Sequence, residues 1–194
     1  MRPHAFVIES VEVREKDQAL DEPLGHAAAA LRTAGVGPAV ADAVRAMYRR
    51  LGIDPTKTRP SSEALLRRVR KGDELPRVNS LVDVINWCSA ESGLPFGLYD
   101  LHRIDGPIVV RIGGPGEEYP GIRKDIVHVA GRLTLADTAG PFGNPTSDSA
   151  RTMITTATTA ALVVIFVPTT LAADLGPRIE RLVRERVGQY ATAR

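Results

Sequence analysis

The sequence of 194 residues holds one cysteine, Cys88. A single thiol excludes an internal disulfide framework and fits a reducing compartment. No apolar run approaches the roughly 20 residues that a membrane helix needs. Met1-Arg-Pro-His leads into a short apolar run that soon turns charged, which is not the pattern of a secretory leader. The expectation is a cytoplasmic protein without membrane contact. His4, His26, His102 and His128 lie far apart, and none has metal-site spacing with Cys88. P-loop, Rossmann glycine fingerprint and GxSxG elbow are all missing. Neither metal nor cofactor is therefore expected. The net charge of +2 is too small to impose a nucleic-acid reading. There is no internal repeat.

What is present suffices for one substantial core: 43% of residues are hydrophobic and 25% charged. The charge is unevenly spread. Arg45 to Arg77 carries ten basic residues against four acidic ones. Such a segment either tracks a phosphate backbone or is a solvated helix face.

Leu24–Ala34 and Val40–Leu51 read as helices. In the second, Val40, Val44, Met47 and Leu51 form one apolar stripe. Another helix opens at Pro60-Ser-Ser-Glu63, with Ser61 or Ser62 as N-cap, and buries Leu65, Leu66 and Val69. Leu81–Ser89 is helical, and Cys88 on its apolar stripe reads as a buried, inert thiol. Phe6–Val13, Ile108–Ile112, Ile126–Val129, Leu133–Leu135 and Leu162–Val167 read as strands. Gly113–Gly116 reads as a hairpin-like turn. Pro177–Tyr190 is a closing helix. Helices early and strands in the middle make an α+β pattern, with a mainly antiparallel sheet.

The organising stretch is Pro141–Thr159, read as a loop dense in hydroxyl, amide and charged groups before a long apolar strand. Gly143 permits positive φ or close approach of another molecule. Asn144, Ser147, Asp148 and Ser149 favour turns.

Four ordered stretches resemble the B3/B4 domain, otherwise the editing module of the phenylalanyl-tRNA synthetase β subunit: Leu51–Arg68, Asn79–Asn86, Ser92–Leu101 and Gly140–Ser149. The resemblance covers roughly Tyr48 to Pro168, and the motifs look like those of a free-standing B3/B4 protein. On that reading 1–194 is one domain, with 1–44 an N-terminal extension, 45–168 the core match and 169–194 a C-terminal helix. The resemblance implies an α+β fold with a pocket between its halves. It also implies hydrolysis of the ester joining a wrong amino acid to a tRNA 3′ end. Gly143 matches the first glycine of the family's Phe-Gly-Gly turn. Three places depart from the family. Gly97 stands where a histidine falls. Pro76-Arg77 reverses an arginine-proline pair. Val164 falls where a glutamate holds the tyrosine hydroxyl, and valine cannot accept that bond.

Such an ester is already activated, so a site need only hold it, place a water and stabilise an oxyanion. The candidate oxyanion donors are the Gly143 and Asn144 amides, in an exposed loop. Asn79, Asn86 and Ser147 are candidates to hold the α-amino group or orient water, and Asp148 to meet an ammonium. Arg151 is open to two roles, holding a terminal phosphate or pairing with Asp148. Arg77, Gly97, Tyr99, Phe142 and Val164 complete the candidate substrate site. Arg59, Arg67, Arg68, Arg70 and Lys71 are the candidate tRNA contacts. The expected function is a trans-acting aminoacyl-tRNA deacylase that does not favour tyrosine. Two alternatives stand beside it: a tRNA- or protein-binding module without the chemistry, and an amino-acid-binding protein.

Overall fold

The computed structural model describes residues 1–122 and 126–192. Its centre is β9 (Ala160–Val167), in which every residue is buried. A strand buried on both faces shows no polar alternation, which is why AALVVIFV is apolar throughout. Burying each of its larger side chains, Leu162 to Val167, contributes roughly 1.5–3 kcal/mol. β1 (Arg2–Glu9) pairs antiparallel along one side, from Arg2 opposite Val167 to Glu9 opposite Ala160. β2 (Phe96–Asp100) pairs along the other, with Gly97 opposite Val164.

Helices α1 (Asp21–Thr33), α2 (Pro38–Arg50), α3 (Ser61–Arg70) and α4 (Ser80–Ser92) come before β2, and α5 (Leu175–Tyr190) follows β9. α4 and α5 pack on each other and on this sheet. A second antiparallel sheet has the order β3 (Val109–Ile112), β6 (Leu133–Asp137), β7 (Gly140–Asn144), β8 (Ser147–Asp148). β4 (Glu118–Pro120) and β5 (Ile126–His128) form a separate two-stranded arm. All pairings between these strands are antiparallel. The fold is α+β. β2 and β8 are edge strands of their sheets and touch each other.

Several sequence expectations are corrected. The first strand spans Arg2–Glu9 and not Phe6–Val13. Pro3 is tolerated there because β1 is an edge strand. β1 lies inside the segment read as an N-terminal extension, yet it completes the central sheet. Gly113–Gly116 does not fold β3 into a hairpin. It turns the chain into the β4–β5 arm, held by Glu117, which accepts from the Gly114 amide (2.6 Å) and pairs with Arg111 (2.5 Å). Helix α3 is capped by neither serine. Pro60 is its N-cap, and the Ser62 hydroxyl donates to the Gly93 carbonyl (2.8 Å). Cys88 is buried, and burial pushes its thiol up to about 11.

Candidate functional site

A cleft of about 670 Å³ opens along the seam where β2 meets β8. One wall is a single face of α4: Val82, Ile85, Asn86 and Ser89 stand at helical spacings of three, four and seven. Phe96 and Leu98, alternate residues of β2, form the floor. The third side is the turn from Pro145 to Asp148, with Met153 and Ile154 behind it. Asp148 is the only ionisable side chain lining the cleft among the described residues.

That turn is not an exposed loop. Pro141–Ser149 forms the hairpin of β7 and β8, with Gly143 opposite Asp148 and Asn144 opposite Ser147. Asn144 builds the turn from inside. Its Oδ1 accepts from the amides of Thr146 (2.8 Å) and Ser147 (3.0 Å) and from the Thr146 hydroxyl (2.7 Å). Gly143 is buried within the ladder, and its carbonyl accepts from Thr134 Oγ1 (2.9 Å). The expectation that Gly143 and Asn144 lie in an exposed loop is therefore corrected. Short, polar strands carry no alternation signal, so the sequence reads as loop.

Three tyrosines hold this hairpin. Tyr48 Oη donates to the Pro145 carbonyl (2.6 Å) and Tyr119 Oη to the Ser147 carbonyl (2.6 Å). Asn144 Nδ2 donates to Tyr119 Oη (3.0 Å). Tyr99 is fully buried and meets the Phe142 ring edge-on, centroids 5.0 Å apart. Burial, and after it the negative charge of Asp148, holds all three hydroxyls above the ordinary range of a phenol. Sequence reasoning found Tyr99 but missed Tyr48 and Tyr119. The available signal was scarcity: the chain has only four tyrosines.

The other candidates divide. Asn86, Ser147 and Asp148 line the cleft together. Asn79, Gly97, Tyr99, Gly143 and Asn144, candidates for the same site, do not line it. Asn79 is the N-cap of α4, its Oδ1 accepting from the Val82 amide (3.0 Å). Gly97 and Val164 lie opposite each other in the central sheet, Val164 fully buried. Phe142 is buried in the core. Arg77 donates to Asp83 Oδ2 (2.9 Å), to Asp21 and to the Asp17 carbonyl (2.7 Å). Arg151 forks onto Asp137 with two bonds of 2.9 Å. Burial disfavours the ionised Asp137, but Arg151 and two backbone amides outweigh it and leave that carboxyl below its usual range. Sequence reading also assigned Ser61 only as a cap. It lines the cleft, with a buried hydroxyl oxygen that bonds no described group.

A second concavity, about 810 Å³, runs between α2 and α3. Arg45, Arg59, Arg67, Arg70 and Lys71 line it, against Asp42 and Glu63. Arg45 forks onto Glu63 (2.9 and 2.7 Å) and holds its carboxyl below the usual range. Arg68 stands outside, its Nε donating to the Glu74 carbonyl (2.8 Å). Ser61 faces the cleft and Ser62 this groove, so the first turn of α3 is the partition between them. Among the described residues no cluster of acidic, histidine or cysteine side chains could hold a metal ion. No helix there is long and apolar enough to cross a membrane.

Fold and cleft together define an α+β domain with a largely apolar cleft at the seam of its two larger sheets. Residues 43–193 match the B3/4 domain, and the chain belongs to that family. The match takes in α5. Among curated proteins, the phenylalanine–tRNA ligase β subunit of Chromobacterium violaceum is 32% identical over 80 residues. That stretch is 41% of this chain and 10% of the relative, so the matched part spans about a tenth of the ligase subunit. Among solved structures, an N-terminal fragment of the phenylalanyl-tRNA synthetase β subunit from Pyrococcus horikoshii aligns with a TM-score of 0.44 and 15% identity. The alignment covers 58% of this chain and 41% of that fragment.

Proposed function

We propose that the cleft receives the aminoacyl ester at the 3′ end of a tRNA and hydrolyses it. The observation that carries this reading is the partition by α3. On one side is a largely apolar cleft whose one carboxylate among the described residues is Asp148, and on the other a basic groove. An aminoacylated tRNA end needs both: an ammonium and a side chain for the cleft, and phosphates for the groove. Asp148 meets the α-ammonium, and the side chain lies against Val82, Ile85, Phe96 and Leu98. Asn86 and Ser147 hold the ester and a water. Among the described residues no histidine, cysteine or lysine lines the cleft, which fits hydrolysis by positioning. The family relation to a tRNA ligase subunit supports the tRNA partner.

Deacylation of a panel of misacylated tRNAs tests this. An ester of a non-aromatic or non-standard amino acid is expected to be cleaved faster than tyrosyl-tRNA, because the described walls are largely apolar. An apolar wall separates two side chains differing by a hydroxyl only about a hundredfold. Tyrosyl-tRNA cleared as fast as every other ester would overturn the side-chain preference.

The embedding of Gly143 in the ladder favours a second reading, a domain that binds the charged tRNA end without cleaving it. Hydrolysis of no ester, with binding intact, would establish that reading instead.

The groove has its own test. Replacing Arg67, Arg70 and Lys71 by glutamine is expected to weaken all tRNAs alike. It should also flatten the slope of log affinity against log salt, by about 0.7 per lost single-strand phosphate contact. An unchanged slope moves the tRNA surface elsewhere.

A further inference from the structure

Tyr99 is buried beneath the cleft, yet it keeps a hydroxyl that bonds no described group other than the one facing it. Burying a hydroxyl without compensation is costly, so its surroundings matter. Two glycines make its space. A Cβ on Gly97 or on Gly143 would overlap the phenol oxygen and its ring carbons. Neither glycine has positive φ, so neither is there for its backbone angles. Both leave room for one oxygen atom.

The ladder shows what that oxygen faces. Gly143 lies opposite Asp148 in the β7–β8 pair. Opposed residues of an antiparallel pair project their Cβ atoms to the same face, about 4.5–5.5 Å apart. The Tyr99 hydroxyl occupies the place of the missing Gly143 Cβ. Asp148 therefore starts about that far away on the same face, and a carboxylate extends toward the hydroxyl.

We propose that Tyr99 is a positioning residue for Asp148. From below the cleft floor its hydroxyl donates to the carboxylate and fixes the orientation in which Asp148 meets a ligand ammonium. Gly97 and Gly143 serve the site by admitting this hydroxyl, not by enlarging the pocket or offering amides. The proposal rests on the reading of Asp148 as the ammonium-binding group.

The test uses amide-linked aminoacyl-adenosines, which cannot be hydrolysed. The best-bound member of a panel is compared with its counterpart lacking the α-amino group, by calorimetry, on wild type and Tyr99→Phe. Tyr99→Phe is expected to weaken the amine-bearing compound about tenfold or more, as for a lost bond to a charged group. The desamino compound should change less than twofold. In an Asp148→Asn background the same replacement should add no further loss. Equal loss for both compounds, or full loss in that background, overturns the proposal. Wild type that does not distinguish the two compounds, or binds neither, overturns the ammonium reading and this proposal with it. Wild type that prefers the amine, with Tyr99→Phe keeping the preference, overturns the role of Tyr99 alone. Should Tyr99→Phe fail to fold, 3-fluorotyrosine at position 99 replaces it. Its fluorine signal is expected to move with the amine compound and not with the other, and equal shifts would refute the link.

Discussion

Val164→Glu is expected to destabilise the protein severely, not to confer tyrosine recognition. The resemblance read from the sequence makes this the obvious variant for changing specificity, since it implies a glutamate at that place. Val164 lies midway along β9 with no exposed surface, between Ala5 of β1 and Gly97 of β2. It does not line the cleft. A carboxyl there replaces apolar contacts and has no cation to pair with among its strand partners. Burying an uncompensated charge costs several kcal/mol, and about 3–5 kcal/mol is the usual penalty for an unpaired buried ion. That is a large part of the 5–15 kcal/mol of a typical domain. Gly97→His, which restores the family histidine, should fare little better, because its Cβ already overlaps Tyr99. The measurement is chemical denaturation of both variants beside a deacylation assay. A Val164→Glu protein of wild-type stability that cleaves tyrosyl-tRNA would reverse this account of β9.

How far the sequence could be read follows from which signals reach across the chain. The α+β class was legible because α2, α3 and α5 carry stripes at helical spacing and β9 is one apolar run. Asp148, Ser147 and Asn86, which line the cleft, were legible as candidates because turn-forming and amide side chains stand out beside apolar elements. The β7–β8 hairpin was not, because two-residue strands have no period to detect. Tyr48 was hidden inside the helical stripe of α2, and Tyr119 in a three-residue strand. Each acts through a hydroxyl on a distant carbonyl, Tyr48 across 97 positions. Gly97 and Gly143 stand out in the sequence as site glycines, but the Tyr99 oxygen packed against both is a contact visible only once β2 and β7 are brought together. Arg77 reads as a substrate arginine, and Arg151 as a phosphate holder or a partner of Asp148, because their acidic partners are remote in sequence or sit within another motif.

Arg77→Ala is expected to be among the most damaging single changes, and to damage stability and not substrate affinity. Arg77 ties three pieces of chain together: Asp83 in the first turn of α4, Asp21 at the start of α1, and the Asp17 carbonyl. Asp83 has no exposed side-chain surface. Burial lifts its carboxyl above the usual range, while the Val78 amide (2.7 Å) and Arg77 oppose that lift. Removing the guanidinium leaves a buried carboxylate with backbone partners alone, at a cost of about 3–5 kcal/mol. The pH dependence gives the cause away. With the cation gone, the folded-state pKa of Asp83 rises further above its unfolded value. The folded state then binds the proton more tightly than the unfolded one, so stability falls as pH rises between those two values. The penalty should therefore be small below the unfolded pKa, near 4, and reach its full size at neutral pH. Global acid unfolding would run the opposite way. Urea midpoints of wild type and Arg77→Ala between pH 4 and 8 measure this difference. A gap that stays constant across that range would mean that Asp83 does not carry the loss. Unchanged stability with weakened ligand binding would return Arg77 to the substrate site.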